Sequence, residues 1–186
     1  MQALLTLDGA VLIWIQENLR ADWLTPLIQF ITHLGGLGKI WIVLSLILLC
    51  FKRTRTAGAA GLLGLFCSLI INNVILKNLF SRTRPYEVVD GLLLLGKQAS
   101  DYSFPSGHTG SSFAAAVAVF RTIGKGKARW LLILFAAIMA FTRLYIGIHY
   151  PTDILGGLLT GILCGYAGAA MAVFLQRWYE TQMKKA

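Results

Sequence analysis

"ILGGLLTGILCGYAGAAMAVFLQ", residues 154–176, runs for twenty-three residues without a charged side chain. An α-helix needs roughly 20 apolar residues to cross the hydrocarbon core of a bilayer, so this stretch reads as a membrane span. Residues 57–76, twenty without a charge, read the same way. Residues 130–148 make a third span interrupted by Arg143, and residues 34–51 a fourth whose Lys39 sits near one end, where it can snorkel. A weaker fifth covers residues 106–123. The chain of 186 residues is 56% hydrophobic and 13% charged, far from a soluble composition. The expectation is one domain over residues 1–186, all-α, an integral membrane bundle of five to six transmembrane helices.

The first 33 residues are harder to read. Asp8, Glu17, Arg20 and Asp22 interrupt the apolar runs "VLIWI" and "LIQFIT". Interfacial amphipathic helices around Pro26 and a sixth span both fit. No basic stretch precedes the first apolar run, so a cleaved signal peptide is not expected.

Charge orients the bundle. Lys52, Arg53 and Arg55 fill one short loop, Arg121, Lys125, Lys127 and Arg129 another, and Arg177, Lys184 and Lys185 the C-terminal segment. Five spans place all three clusters on one face, which the positive-inside rule assigns to the cytoplasm. The net charge of +9 is thereby divided between inner loops facing anionic lipid and a second group, and no nucleic-acid partner is expected. Cys50, Cys67 and Cys164 fall inside predicted spans, read as packing residues, and imply no disulfide.

The second polar group has no topological reason to exist. Lys77, Arg82 and Arg84 lie at the outer end of one span, Arg143 at the outer end of another, and His108 and His149 at the same level. In "KNLFSRTRP" (77–85), Lys77 and Arg84 are two helical turns apart on nearly one face, and Pro85 is expected to end the helix at Arg84. In "FPSGHT" (104–109), Pro105 suits a first helical turn, which leaves the amides of Ser106, Gly107 and His108 as anion-binding donors. In "TRLYIGIHYPTD" (142–153), a helix beginning at Pro151 puts Asp153 third, reaching back towards His149. A carboxylate on one imidazole nitrogen fixes the tautomer and makes the other nitrogen more basic. Asn72 and Asn73 read as interhelical hydrogen-bond partners. Each signal alone also fits a snorkelling cation or an ordinary cap; together they point to one polar site at one membrane level. Cations without a carboxylate cluster suit a phosphate dianion, and no metal or cofactor is expected.

Lys77-x6-Arg84-Pro85, Pro105-Ser106-Gly107-His108 and Thr142-Arg143-x5-His149-x3-Asp153 together resemble the three signature motifs of the type 2 phosphatidic acid phosphatase (PAP2) family, which also includes vanadium haloperoxidases and bacterial acid phosphatases. The family usually has Ser where this chain has Thr142, which keeps the hydroxyl. The resemblance implies that His149 attacks phosphorus, Asp153 holds its ring, and His108 protonates the leaving oxygen and later activates water. It implies further that Lys77, Arg84, Arg143, Ser106 and Gly107 bind the phosphoryl oxygens without a metal. Arg82 falls outside the motif and is read as meeting lipid headgroups.

Membrane-embedded members of the family are lipid phosphatases. The resemblance therefore implies a membrane lipid phosphate as substrate: undecaprenyl diphosphate, phosphatidylglycerophosphate or phosphatidate. Compact size suggests a bacterial inner (plasma) membrane, with the site on the extracytoplasmic side. A lipid phosphotransferase, a vanadate-dependent haloperoxidase and a non-catalytic lipid-binding or transport protein are the competing readings. The loop 87–102, containing Glu87, Asp90, Lys97 and Asp101, is expected to select the substrate. The glycines of the last span are expected to pack within the monomer, and the sequence is silent on oligomeric state.

Overall fold

A computed structural model of the chain describes residues 2–184. Lys185 of the third basic cluster lies outside the described residues. The elements are α1 (Gln2–Leu19), α2 (Thr25–Leu34), α3 (Lys39–Cys50), α4 (Arg55–Ser68), α5 (Lys77–Phe80), α6 (Pro85–Val88), α7 (Gly107–Thr122), α8 (Trp130–Tyr145) and α9 (Pro151–Met183). A π-helical stretch, Leu69–Leu76, joins α4 to α5. Every regular element among the described residues is helical, as expected.

Three described stretches are long and apolar enough to cross a membrane alone: Arg55–Val88, Lys127–Tyr145 and Pro151–Met183. The pair α2 and α3, bent by 52°, makes a fourth if counted as one span. The expected fifth, α7, has 16 residues, about 24 Å at 1.5 Å per residue, against a core of about 30 Å. It is also the innermost helix, packed against α4, α8 and α9. Its run of Ala114, Ala115, Ala116, Ala118 and Val119 is fully buried, so small side chains there reflect close helix contact. Helix α1 does not meet the length and apolarity of a span. It lies on α8 and α9, with Asp8, Leu12 and Ile15 turned inward and Leu7 and Trp14 outward.

Helix α9 shows why a membrane helix reads inside out. Leu155, Leu159 and Leu163 are exposed, whereas Gly157, Gly161 and Gly165 face the bundle. A Cβ on Gly161 would lie 2.7 Å from the Gly110 carbonyl oxygen, so glycine lets α9 and α7 touch backbone to backbone. Lipid solvates the leucines, and van der Waals contact between small residues holds the helices together.

The cations expected on one continuous helix are separated by a break. The helix ends at Phe80, four residues before Arg84, because Ser81 adopts a left-handed conformation (φ 45°). Residues 82–84 then run as a loop, and Pro85 opens α6 instead of merely stopping the previous helix. The C-terminal end of α5, the N-terminal ends of α7 and α9 and the C-terminal end of α8 converge on one cavity.

Candidate active site

Each site residue is delivered by a helix end. Ser106 is the N-cap of α7, its Oγ accepting from the Thr109 amide at 3.4 Å and from Thr109 Oγ1 at 3.0 Å. Pro105 therefore precedes the helix instead of occupying its first turn. The Ser106 amide donates to the Asp153 carbonyl at 3.1 Å, and its side chain is fully buried. Ser106 thus gives its oxygen to the entry of α7 and its amide to the Asp153 carbonyl of α9. Gly107 and His108, in the first turn of α7, do line the cavity.

Asp153 sits in the first turn of α9, and its Oδ2 accepts from the Tyr150 amide at 2.9 Å and from Ser103 Oγ at 2.5 Å. The same oxygen lies 3.2 Å from His149 Nδ1. A carboxylate only accepts, so Nδ1 carries the proton and Nε2 presents its lone pair. Nε2 lies 3.4 Å from Arg84 Nη1. Burial pushes the His149 imidazole down to about 4, against the Asp153 hydrogen bond and with the help of Arg84, so the ring is neutral at physiological pH. The second imidazole, His108, is held on the other wall by a hydrogen bond to the backbone of Thr32 in α2.

Three buried cations surround these rings. Lys77, Arg84 and Arg143 expose only 6%, 3% and 7% of their surface. Arg84 is fixed by its neighbours: Nε donates to the Asp101 carbonyl at 2.9 Å and Nη1 to the Ile148 carbonyl at 2.9 Å. The Asp101 carboxylate bridges Lys77 Nζ and Arg84 Nη2. Arg143 donates from Nη1 to Thr32 Oγ1 at 2.6 Å, while its buried Nε has no partner. A buried cation without a counter-charge is costly unless an anion completes it. One carboxylate for three cations leaves the cavity short of negative charge.

The cavity encloses about 510 Å³ and continues from this polar end along Ile42, Leu62, Leu65, Phe66 and Leu69. Phe66 and Leu69 are exposed on the outside of the bundle. Among the described residues no group of three or more His, Cys, Asp or Glu is arranged to hold a metal ion.

The sequence that builds this site matches a known family. Its model, the PAP2 superfamily, matches residues 57–181. The chain belongs to the PAP2 superfamily. This PAP2 chain is 33% identical over 139 residues to an undecaprenyl-diphosphatase of Sulfolobus acidocaldarius, a match covering 74% of this chain and 66% of that one, about two thirds of the relative's length. It is 32% identical over 148 residues to the undecaprenyl-diphosphatase BcrC of Bacillus subtilis, covering 77% of this chain and 72% of that one. The crystal structure of a transmembrane PAP2-type phosphatidylglycerolphosphate phosphatase from Bacillus subtilis superposes with a TM-score of 0.74 at 24% identity, covering 92% of this chain and 87% of that one. The relatives are phosphatases by name, and the PAP2 chain is a multi-pass membrane protein of the same fold.

Lys77, Arg84, Gly107, His108, Arg143 and His149 meet at one cavity in this PAP2 chain, with Asp153 behind His149. Ser106 stands apart from the cavity lining. Arg82, assigned to lipid headgroups, instead pairs with Asp153 Oδ1 at 2.7 Å and Asp8 Oδ2 at 2.7 Å. Asn72 bonds Ser68 in its own helix at 2.9 Å rather than a neighbouring helix, and Asn73 lines the cavity beside Gly107. The π-helical stretch adds a residue to the turn that presents these asparagines. Asp8, Thr32, Asp101 and Ser103 carried no motif. Asp8 had one signal: it is the single charged side chain among residues 1–16.

Proposed function

We propose that this PAP2 protein is an integral-membrane, metal-independent phosphatase that hydrolyses a phosphomonoester or diphosphate of a membrane lipid through a phosphohistidine. The observation that carries the reading is the charge shortage: three buried cations face the cavity, its one carboxylate pairs with two of them, and two oriented imidazoles stand opposite. A phosphoryl group displaces Asp101 and takes its place on Lys77 and Arg84, with Arg143 Nε and the first amides of α7 completing the cradle.

His149 Nε2 then forms the P–N bond as the bond from phosphorus to the lipid oxygen breaks, and His108, which the bound phosphoryl dianion holds as the imidazolium, gives that oxygen its proton and becomes neutral. Asp153 stabilises the imidazolium so formed. In the second step His108 takes a proton from water, the water oxygen bonds to phosphorus, and the P–N bond breaks to return neutral His149 and inorganic phosphate.

The lipid class follows from the apolar wall, which runs from the cations to lipid-facing Phe66 and Leu69 and suits an acyl or prenyl chain. Undecaprenyl diphosphate, phosphatidylglycerophosphate and phosphatidate all present a terminal phosphoryl group on a molecule anchored by such chains. The basic loops lie at the opposite helix ends, which supports an extracytoplasmic site at an inner (plasma) membrane.

The test is phosphate release from these three lipids by purified protein in one detergent, with His149→Ala alongside. Wild type is expected to form an acid-labile phosphoenzyme that the variant lacks. Undiminished release by His149→Ala would end the proposal.

A further inference from the structure

The chemistry above leaves a buried ion network unused. Arg82 Nη1 donates to Asp153 Oδ1 at 2.7 Å and to Thr152 Oγ1 at 2.6 Å, and Nη2 donates to Asp8 Oδ2 at 2.7 Å. The guanidinium lies 3.9 Å from the centre of the Tyr150 ring. Asp8 accepts in addition from the Thr152 amide at 3.2 Å and from its hydroxyl. Asp8 and Asp153 are 3% and 0% exposed. Asp8 is thus a foreign cap on the positive end of α9, delivered by α1, and through Arg82 it is joined to the carboxylate that orients His149. It lies outside residues 57–181, the part that matches the family model.

We infer that Asp8 and Arg82 are positioning residues for the nucleophile, clamping Asp153 under His149 and making the N-terminal helix part of the catalytic apparatus. The inference rests on the proposed function. Two arguments carry it. Asp8, Arg82 and Asp153 together hold one net negative charge, which the imidazolium formed on phosphorylation balances. Without Arg82, two buried carboxylates confront each other across Thr152 with no cation between them, and repulsion displaces Asp153. Such a network contributes little net stability but fixes geometry, and the geometry it fixes is that of the attacking ring.

The experiment uses the full chain in detergent with Asp8→Asn, Arg82→Met and Arg82→Lys, assayed for kcat and KM on a short-chain lipid phosphate. Asp8→Asn and Arg82→Met are expected to lower kcat roughly 10- to 100-fold, the scale of an ångström-sized misplacement. KM stays within about threefold, because the phosphate-binding cations are untouched. Arg82→Lys restores the cation and recovers part of kcat, which a purely structural role for the guanidinium stack would not produce. Asp8→Asn is isosteric and decides the matter if Arg82→Met does not fold. A kcat within twofold of wild type for Asp8→Asn, or a loss confined to KM, overturns the inference. If wild type is active and His149→Ala is dead while Asp8→Asn is unimpaired, only this inference fails; a wild type that releases no phosphate overturns the proposed function as well.

Discussion

Replacing Asp101 by Asn removes one negative charge from the cavity mouth and little else. The backbone carbonyls of residues 101 and 102 still receive Arg84. Burial works upward on the Asp101 carboxyl, but Lys77 and Arg84 outweigh it and hold the group below its ordinary range, so a full charge is lost at neutral pH. Two ion pairs at about 4 Å and an effective dielectric of 20 would give about 4 kcal/mol each. The Asp101 side chain is 51% exposed, however, and a screened pair is worth about 0.2–1 kcal/mol. Together the pairs oppose an incoming phosphoryl group by about 0.4–2 kcal/mol, a factor of roughly 2–30 in affinity. The assay is inhibition of lipid-phosphate hydrolysis by orthovanadate, a mimic of five-coordinate phosphorus. Asp101→Asn should lower the inhibition constant by that factor and move KM the same way. An unchanged or higher inhibition constant would show that Asp101 holds Lys77 and Arg84 for the substrate instead of competing with it.

The acid limb of activity should fall near pH 4, because His149 must be neutral to attack and burial holds its ring at about 4; a limb at 6.5 in a kcat/KM profile would contradict the assignment. The same depression means that the unfolded chain binds a proton the folded chain does not between about pH 6.5 and 4, so denaturant stability should decline on acidification through that window. EDTA should leave phosphate release unchanged under conditions where vanadate abolishes it, and loss of activity restored by a divalent ion would argue for a metal. Gly161→Val would press a side chain to 2.7 Å from the Gly110 carbonyl and 2.9 Å from Phe113 Cβ. Overpacking of about 1–3 kcal/mol should lower the thermal midpoint by several degrees, whereas Leu159→Ala on the lipid side should change it little.

Much of this site could be read in the chain because helix-end chemistry is local. Pro151 opens α9, so Asp153 reaches back to Tyr150 and His149 within five residues, and no distant contact is needed to place it. The same locality explains Gly107 and His108. At Ser106 it leaves two uses open, because a serine before a helix serves equally as a cap or as a ligand; here its Oγ accepts from Thr109 and its amide donates to Asp153. It misled at Arg84, since nothing in "FSRTR" announces the left-handed Ser81 that ends the helix early.

Lipid as the solvent and a polar site at one membrane level were both legible in the chain. Uncharged runs of twenty or more residues demand lipid, and ionisable residues at one level of those runs demand a function that justifies them. The partnerships became visible in the folded chain alone: Asp101 on Lys77 and Arg84, Thr32 against His108 and Arg143, and Asp8 on Arg82 and α9. The difference is one of range. Periodicity and capping act over a few residues, whereas a buried charge is satisfied by whichever counter-charge packing brings near, and Asp8 stands 74 positions from Arg82 and 144 from Thr152.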